Sequence, residues 1–383
     1  MSDFDPNRVP KGGALYLHVP FCSAICDFCA FDKSLPSPGD WVVFRQSFAR
    51  EWGGLDFEGK ASSAFWGGGT PGLLKASDIR KFGEAFQAVL ERDAEWTVEL
   101  TPLCPTTEKL SAWREVGVNR LSLGVQSFSP RLLEAMGRPY STEKISRIVE
   151  RIRKEGFSAL NIDLIIAFPG QTQEELIFDL RRTVELSPDH ISVYCLTLEE
   201  DTALFSRLLA KGSQPDPEHE ARLYSTAWSF LEDHGYLQYE ISNFARPGFQ
   251  CEHHLNVWRM GSWRGVGPSA ASQIGHYRFQ NPHGLREWAG AVESNRGSER
   301  FSAGFERIKS EDQVKERLVF GLRMNEGVPI AALDDLPESS CAKIRSLFDR
   351  LEQEGYLEKK GGRAVLSLAG RLVVDEISRW IFR

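Results

Sequence analysis

Between residues 14 and 195, short apolar runs alternate with stretches whose apolar residues recur every three or four positions. The runs at 14–19, 62–66, 95–101, 119–124, 159–166 and 190–195 are rich in Val, Ile, Leu and aromatics and read as strands. Helical stripes lie between them: Trp41, Phe44, Phe48 and Trp52 recur at spacings of 3, 4 and 4, as do Ile79, Phe82, Phe86 and Leu90. Stripes of this kind face a core. Helix openings fall at Ser129-Pro130 and at Thr172 with Glu175, the second as a capping box, and Gly117, Gly137 and Gly156 stand where helices should stop. About six β–α units follow from this alternation, hence an α/β protein with a parallel sheet, doubly wound or curled into a full or partial barrel. In either arrangement ligands gather at the carboxyl ends of the strands.

Beyond residue 195 the rhythm breaks. A polar stretch at 212–217 precedes a predicted helix at 218–234 and a Gly-, Trp- and His-rich region that runs to about 300. Helices are predicted again at 310–324 and 339–354, then a hairpin over 356–368 that turns at Gly361-Gly362, then a last helix at 370–381. That order describes a small α+β, winged-helix-like module. Its 339–354 helix mixes Lys343, Arg345 and Arg350 with Asp349, Glu352 and Glu354, which favours a structural or substrate-covering role over DNA binding. The chain divides into a barrel at 12–245, a connecting region with a His-rich box at 246–307, and a C-terminal domain at 308–383.

At 383 residues and 42% apolar composition the chain can bury a large core, and its net charge of −7 argues against a broad nucleic-acid surface. Residues 1–13 hold no apolar stretch of signal-peptide length, and no segment approaches the roughly 20 apolar residues of a spanning helix. A cytoplasmic protein without stable membrane insertion is expected. There Cys104, Cys195, Cys251 and Cys341, scattered singly, would stay reduced and are expected to be buried thiols.

Three further cysteines are grouped. Cys22, Cys26 and Cys29 follow the 14–19 strand at C-x3-C-x2-C spacing, which lets one loop turn three thiolates toward a common centre. That suits a [4Fe–4S] cluster needing a fourth ligand from elsewhere. The amino and carboxylate groups of S-adenosylmethionine fit the vacant iron, and an electron from the cluster can then break the sulfonium bond to give an adenosyl radical. Zinc is the weaker reading, because neither a second C-x2-C pair nor a downstream H-x3-5-H accompanies the loop. A disulfide would leave an odd thiol.

Polar residues punctuate the other strand ends. Phe65-Trp-Gly-Gly-Gly-Thr-Pro71 exposes backbone without side-chain obstruction, either as a tight turn or as a cradle for the amino group of S-adenosylmethionine. Glu99 ends the third strand, Gln126 follows the fourth and Asp163 interrupts the fifth. A carboxylate in a buried strand is costly unless paired or bound. Pairing with an Arg would explain it; a rim of Glu, Gln and Asp would instead suit ribose hydroxyls and an ammonium group, with Arg138 available for a carboxylate.

Tyr16-Leu-His-Val-Pro-Phe-Cys22, Gly67-Gly-Gly-Thr-Pro71, Asn119-Arg-Leu-Ser-Leu-Gly-Val-Gln-Ser-Phe128, Asn161-Ile-Asp163, Phe168-Pro-Gly-Gln-Thr172 and Tyr239-Glu-Ile-Ser-Asn-Phe244 together resemble the HemN/HemW group of radical S-adenosylmethionine proteins, from about residue 14 to the C-terminus. The resemblance implies a partial (β/α)6 barrel with a HemN-type C-terminal domain and a cluster on Cys22, Cys26 and Cys29. By motif, Tyr16, Phe28, Gly68, Gly69, Thr70, Glu99, Gln126, Arg138 and Asp163 are implied contacts of S-adenosylmethionine. One branch of the group decarboxylates coproporphyrinogen III oxidatively; the other, HemW-type branch is made of haem chaperones that deliver haem to acceptor proteins.

The chaperone branch is favoured, since the dehydrogenase motif continues to a further cysteine where Phe31 stands, and dehydrogenases carry a longer segment ahead of the cluster. Cys251-Glu-His-His-Leu-Asn-Val-Trp258 also resembles the HNxxYW box of HemW-type proteins, which makes His253 a haem contact, with His254 able to substitute. His254 and Val257 depart from that box, Ala271 stands where a His is usual, and Thr101 replaces an Asn after Glu99. Implied partners are haem or porphyrin, a haem-acceptor protein and an electron donor; self-association as a homodimer stays open. The alternatives are oxygen-independent coproporphyrinogen III oxidation, a radical enzyme acting on haem itself, and a degenerate barrel whose motifs serve folding alone.

Overall fold

The computed structural model describes residues 4–138, 140–210, 216–294, 301 and 304–383. Most of the polar stretch at 212–217 lies outside them. Six strands, β1 (Ala14–Val19), β2 (Ala61–Gly68), β3 (Leu90–Leu100), β4 (Arg120–Gln126), β5 (Ala159–Ile166) and β6 (His190–Cys195), pair in parallel in the order of the chain. Helices separate them, so all six carboxyl ends share one rim. Within the sheet Tyr16 lies beside Phe65, Phe65 beside Thr97, Glu99 beside Ser122 and Asp163 beside Ser192. That register gathers the polar interruptions of neighbouring strands.

The sheet does not end at these six. Trp263–Val266 pairs in parallel with β1, and Ala271–Ile274, Tyr277–Gln280 and Glu306–Arg307 continue outward in antiparallel fashion. On the far edge Asn243–Ala245 and then Leu237–Glu240 add to β6, giving twelve strands among the described residues. The Gly-, Trp- and His-rich region thus covers an edge that would otherwise expose unpaired backbone groups. A buried ion pair fastens it. Glu51 and Arg264 meet at 3.2 Å with both side chains fully buried, and Glu51 also accepts from the Gly267 N–H, Asn281 Nδ2 and Trp288 Nε1, each at 2.9 Å. Removing one member of such a pair costs roughly 3–5 kcal/mol, because the other is left buried and uncompensated.

Helix Pro38–Gly53 opens on a Ser37–Asp40 capping box and buries Phe44 and Phe48, while Trp41 and Trp52 pack partly exposed beside them. Helix Ala76–Gln87 buries Ile79, Phe82 and Phe86; Leu90, the fourth residue of that stripe, opens β3 instead. Helix Gln173–Glu185 begins with the expected Thr172–Glu175 box. Trp66, Trp96, Trp113, Phe82 and Phe86 fill one side of the core, with Trp66 centred 5.0 Å from Phe86 and 5.2 Å from Trp113. Truncating any of them would cost about 3–5 kcal/mol.

The C-terminal part has its own core around Leu318, Leu322, Ile344, Phe348, Leu351 and Ile377. Helices Ser310–Arg323 and Glu338–Gln353 pack against a three-stranded sheet of Val328–Pro329, Arg363–Leu366 and Leu357–Lys360. The single terminal helix expected at 370–381 is two, Leu368–Leu372 and Val374–Phe382, broken at Val373. Backbone bonds from Ile241 N–H to Arg323 O (3.1 Å) and from Asn325 N–H to Tyr239 O (2.9 Å) join this part to the barrel.

Among the described residues no helix is long and apolar enough to cross a membrane. All seven cysteines are free; Cys104 and Cys251 are buried and Cys341 half-buried. Cys195 is exposed rather than buried, because it ends β6 at the rim.

Candidate functional site

The loop that leaves β1 carries Cys22, Cys26 and Cys29, all partly accessible. Backbone bonds from Cys22 N–H to Ser34 O (2.9 Å) and from Ser34 N–H to Pro20 O (2.7 Å) close its base. The Lys33 ammonium donates to the Cys29 carbonyl. The glycine run at the end of β2 is fitted to this loop: a Cβ on Gly69 would stand 2.7 Å from Phe21 O and 2.8 Å from both Phe21 N and Val19 O. Gly68, at φ +99, has the His18 ring 2.6 Å from where a Cβ would be, and Gly67 has Glu99 Oε2 at 2.8 Å. Gly69 is therefore demanded by backbone and Gly68 by its positive φ and the His18 ring, while a side chain at Gly67 would displace the Glu99 carboxyl.

Donors face two of the three sulfurs. Thr70 Oγ1 lies 3.6 Å from Cys22 Sγ, and Arg138 Nε donates to Cys26 Sγ at 3.1 Å. The Arg138 guanidinium also lies over the Phe28 ring at 5.8 Å and donates through Nη1 to Gly124 O at 2.8 Å. Burial raises the Cys22 thiol, against the Thr70 hydroxyl, and the neighbouring Cys29 and Cys26 raise it further. Three unpaired thiols on one loop form the donor set that a [4Fe–4S] cluster with one iron left to an external chelator requires. Among the described residues no three His, Cys, Asp or Glu side chains form a group able to hold a metal ion as they stand.

Behind the loop the strand ends converge. Glu99 and Asp163 are half-buried, and burial followed by the Asp163 charge pushes Glu99 up to about 8, against a bond from the Gly68 N–H. Asp163 is also raised by burial, opposed by hydrogen bonds from Ser122, Ser192 and Asn161. Ser122 Oγ donates to its Oδ2 at 2.9 Å and Asn161 Nδ2 to its Oδ1 at 2.7 Å, so neutral donors hold both oxygens while the Arg138 charge acts on it from farther off. Gln126 sits at φ +71 where the β4–β5 register slips, and its amide lies across Gly124. Held backbone of this kind is favoured where a side chain must be aimed at a ligand.

Asp179, pushed up to about 6 by burial, accepts from Ser127 Oγ at 2.7 Å and from the Phe128 N–H at 2.6 Å, and so anchors the loop after Gln126. Tyr16 donates toward His18 Nδ1 at 3.1 Å, and burial with the Glu99 charge keeps its phenol neutral. Phe28, Gly68, Gly69, Thr70, Glu99, Gln126, Arg138 and Asp163 thus fall toward one rim with the three cysteines, and Tyr16, midway along β1, lies beneath them between His18 and the His253 ring. Asp179, Tyr140 and His18 are also bonded to these groups; His18 lies inside the Tyr16–Cys22 motif and Asp179 is a lone acid on the buried face of the Gln173–Glu185 helix, whereas Tyr140 carries no signal in the sequence.

His253 lies elsewhere. It is buried on helix Glu252–Trp258, with its ring 5.1 Å from Phe65 and 6.5 Å from Tyr16. Its N–H donates to Glu95 Oε1 at 3.3 Å, and Glu95 precedes Glu99 by four residues on β3. Four residues of strand separate the Glu95 and Glu99 backbones by about 13 Å, so the His253 main chain is tied toward the amino end of the barrel while its ring reaches back to Phe65 and Tyr16. The His254 ring stands 5.5 Å from Phe65. Burial holds both imidazoles neutral, His253 down at about 3 and His254 at about 4, and among the described residues Nδ1 of each has no hydrogen-bond partner.

Six ordered parallel β–α units bearing a HemN-type C-terminal module define a radical S-adenosylmethionine barrel fold. The family description "Radical SAM superfamily" matches residues 16–182, and "HemN C-terminal domain" matches residues 308–373. A protein named heme chaperone HemW from Lactococcus lactis subsp. lactis is 31% identical over 91% of this chain and 89% of its own length. Its namesake from Mycobacterium tuberculosis is 32% identical over 98% and 96%. Coproporphyrinogen III oxidase (HemN) from Escherichia coli superposes with a TM-score of 0.82 at 24% identity, over 97% of this chain and 90% of that one. On these findings the chain belongs to the HemN/HemW group of radical S-adenosylmethionine proteins.

Proposed function

We propose that this chain is a haem chaperone of HemW type. Cys22, Cys26 and Cys29 would hold a [4Fe–4S] cluster, and Tyr16, Phe28, Gly68, Gly69, Thr70, Glu99, Gln126, Arg138 and Asp163 would surround S-adenosylmethionine. When bound, the pair supplies a one-electron couple next to a sulfonium group. The protein's own contribution is to orient and to hold charge: Arg138 places a cation between the Cys26 sulfur and the β4 end, while the protonated Glu99 gives up its proton to receive an ammonium group.

Haem is cargo rather than resident cofactor in this reading, and His253 is its contact. The observation that carries it is the buried pair of neutral imidazoles whose Nδ1 atoms have no partner. A neutral imidazole nitrogen with a free lone pair is what iron accepts. The rings of Phe65 and Tyr16 beside it suit a flat apolar macrocycle, and opening of the Glu252–Trp258 helix would admit one. Ile25, Phe31 and Leu35 expose apolar surface on the cysteine loop, where an electron donor or the haem acceptor would dock. The free cysteines suit the reducing cytoplasm.

Anaerobic reconstitution followed by parallel haem and coproporphyrinogen assays tests this. About four irons per chain are expected, with haem bound and lost on His253→Ala, His254→Ala, and with no protoporphyrinogen formed. Haem binding unchanged by the double variant removes the carrier role, and conversion of coproporphyrinogen assigns the dehydrogenase role in its place.

A further inference from the structure

The motif Tyr239-Glu-Ile-Ser-Asn-Phe244 has no part in the site so far. Its tyrosine stands in a chain of hydrogen bonds running through the barrel from Asp163 to the histidine helix. Asn161 Nδ2 donates to Asp163 Oδ1 at 2.7 Å, so the amide oxygen of Asn161 is the atom facing His190 Nδ1, at 2.7 Å. An oxygen can only accept, which places the His190 proton on Nδ1. Burial first, then the Arg120 charge, lowers His190 well below its ordinary value, so the ring is neutral and its Nε2 is an acceptor.

Nε2 lies 2.9 Å from the Tyr239 hydroxyl, which must therefore donate to it. The same hydroxyl oxygen accepts the Cys251 N–H at 3.3 Å. Every donor in the series points the same way: Cys251 N–H to Tyr239, Tyr239 O–H to His190, His190 Nδ1–H to Asn161, Asn161 N–H to Asp163. Bonds aligned head to tail polarise one another, and these four all strengthen when negative charge settles on Asp163. Cys251 caps the Glu252–Trp258 helix, and Glu95 gathers both its thiol and the His253 N–H at 3.3 Å.

We infer that Tyr239 and His190 are positioning residues that tie Asp163 at the ligand rim to the head of the histidine helix, so that a ligand at Asp163 is felt at residues 251–254. A hydroxyl donor on Asp163 competes with the Asn161 amide and loosens the series, whereas a cation holds Asp163 ionised and tightens it. S-adenosylmethionine offers both groups. The inference rests on the reading that S-adenosylmethionine binds at this rim.

Hydrogen exchange on the full-length, anaerobically reconstituted protein tests it, with equilibrium dialysis on the same sample to measure S-adenosylmethionine binding separately. In the wild type, exchange over residues 251–258 changes by about fivefold or more when S-adenosylmethionine is added, the size of an ordinary coupling between sites. Tyr239→Phe removes the hydroxyl and keeps the ring; it still binds, and the effect at 251–258 falls below about twofold. A merely structural tyrosine would lower stability and leave that dependence intact, which overturns the inference. Binding in the wild type with no change over 251–258 overturns it without any variant. If dialysis shows no binding, the rim reading falls and takes the inference with it.

Discussion

The two ends of the barrel are built on opposite terms. At the carboxyl rim, polar groups are half-open and mutually bonded: Asp163 holds donors on both oxygens, Arg138 spans a sulfur and a carbonyl, and Gln126 is held at a positive φ. At the other end two imidazoles are closed in by aromatic rings, and each leaves a nitrogen without a partner. An unsatisfied buried polar atom costs roughly 1–3 kcal/mol. The rim can receive a small polar ligand with its groups already in place, whereas the histidine end gains only when something enters and engages those nitrogens. Preorganisation and stored cost are two ways of preparing a site, and one barrel uses both.

The sharpest way to break the comparison is to remove one thiol. Cys26→Ala should abolish cluster assembly, read as loss of iron and of the cluster's visible absorption, because two remaining sulfurs cannot hold three irons. Haem affinity should change far less. The reverse pattern belongs to His253→Ala, His254→Ala: iron content intact, haem lost. A pair of variants that each destroy both properties would show that the two ends are not separate.

Gly69→Ala sharpens the rim side. Its new methyl would press on three backbone atoms of the β1 end and cysteine loop at 2.7–2.8 Å, and backbone cannot rotate away. A cost of about 1–3 kcal/mol is expected, with melting lowered by several degrees and iron uptake impaired. Thermal melts of the apo protein separate the folding penalty from the loss of metal.

The alternation of strands and helices was open to reading because the barrel strands are short, largely apolar runs and the helices between them repeat apolar residues every three or four positions. Asp163 stood out for the same reason, as a lone acid in an otherwise apolar strand, and Glu99 as an acid at the apolar carboxyl end of its strand. The strands at 263–280 were hidden: four residues each and broken by Arg264, Gln273 and Arg278, they form a sheet edge because the first pairs with β1 and the others add to it. The break at Val373 is likewise set by packing rather than by any Pro or Gly there. Tyr239 was visible inside a motif, yet its bond to His190 joins residues 49 positions apart, and only the folded register brings them together.

Acid–base behaviour distinguishes the rim further. Glu99 holds its proton up to about 8, whereas the unfolded chain releases it near 4.5. Between those values the folded state binds the extra proton, so this group's contribution to stability is fullest below about 4.5 and declines as pH rises, by at most about 1.4 kcal/mol per unit. Glu99→Gln should flatten that slope in denaturant titrations. Binding of a ligand ammonium at neutral pH should release on the order of one proton from the wild type and none from the variant, read by calorimetry in buffers of different ionisation enthalpy.

The histidine end carries the opposite sign and the smallest effect. His253 stays neutral down to about 3, while an unfolded histidine takes a proton near 6.5. Below that value the unfolded chain binds the additional proton, so stability falls as pH drops from 6.5 toward 3. His253→Phe keeps a ring against Phe65, removes the unpartnered nitrogen and cannot titrate. Its advantage over the wild type should be larger at pH 5 than at pH 7 by at most about 2 kcal/mol, with the gap narrowing above pH 6.5 to what the orphan nitrogen alone costs. Denaturant midpoints at the two pH values measure it. A variant less stable than the wild type at both would mean that His253 is held by bonds that the closed barrel does not display, and the contrast between a satisfied rim and an unsatisfied far end would fail at its weaker side.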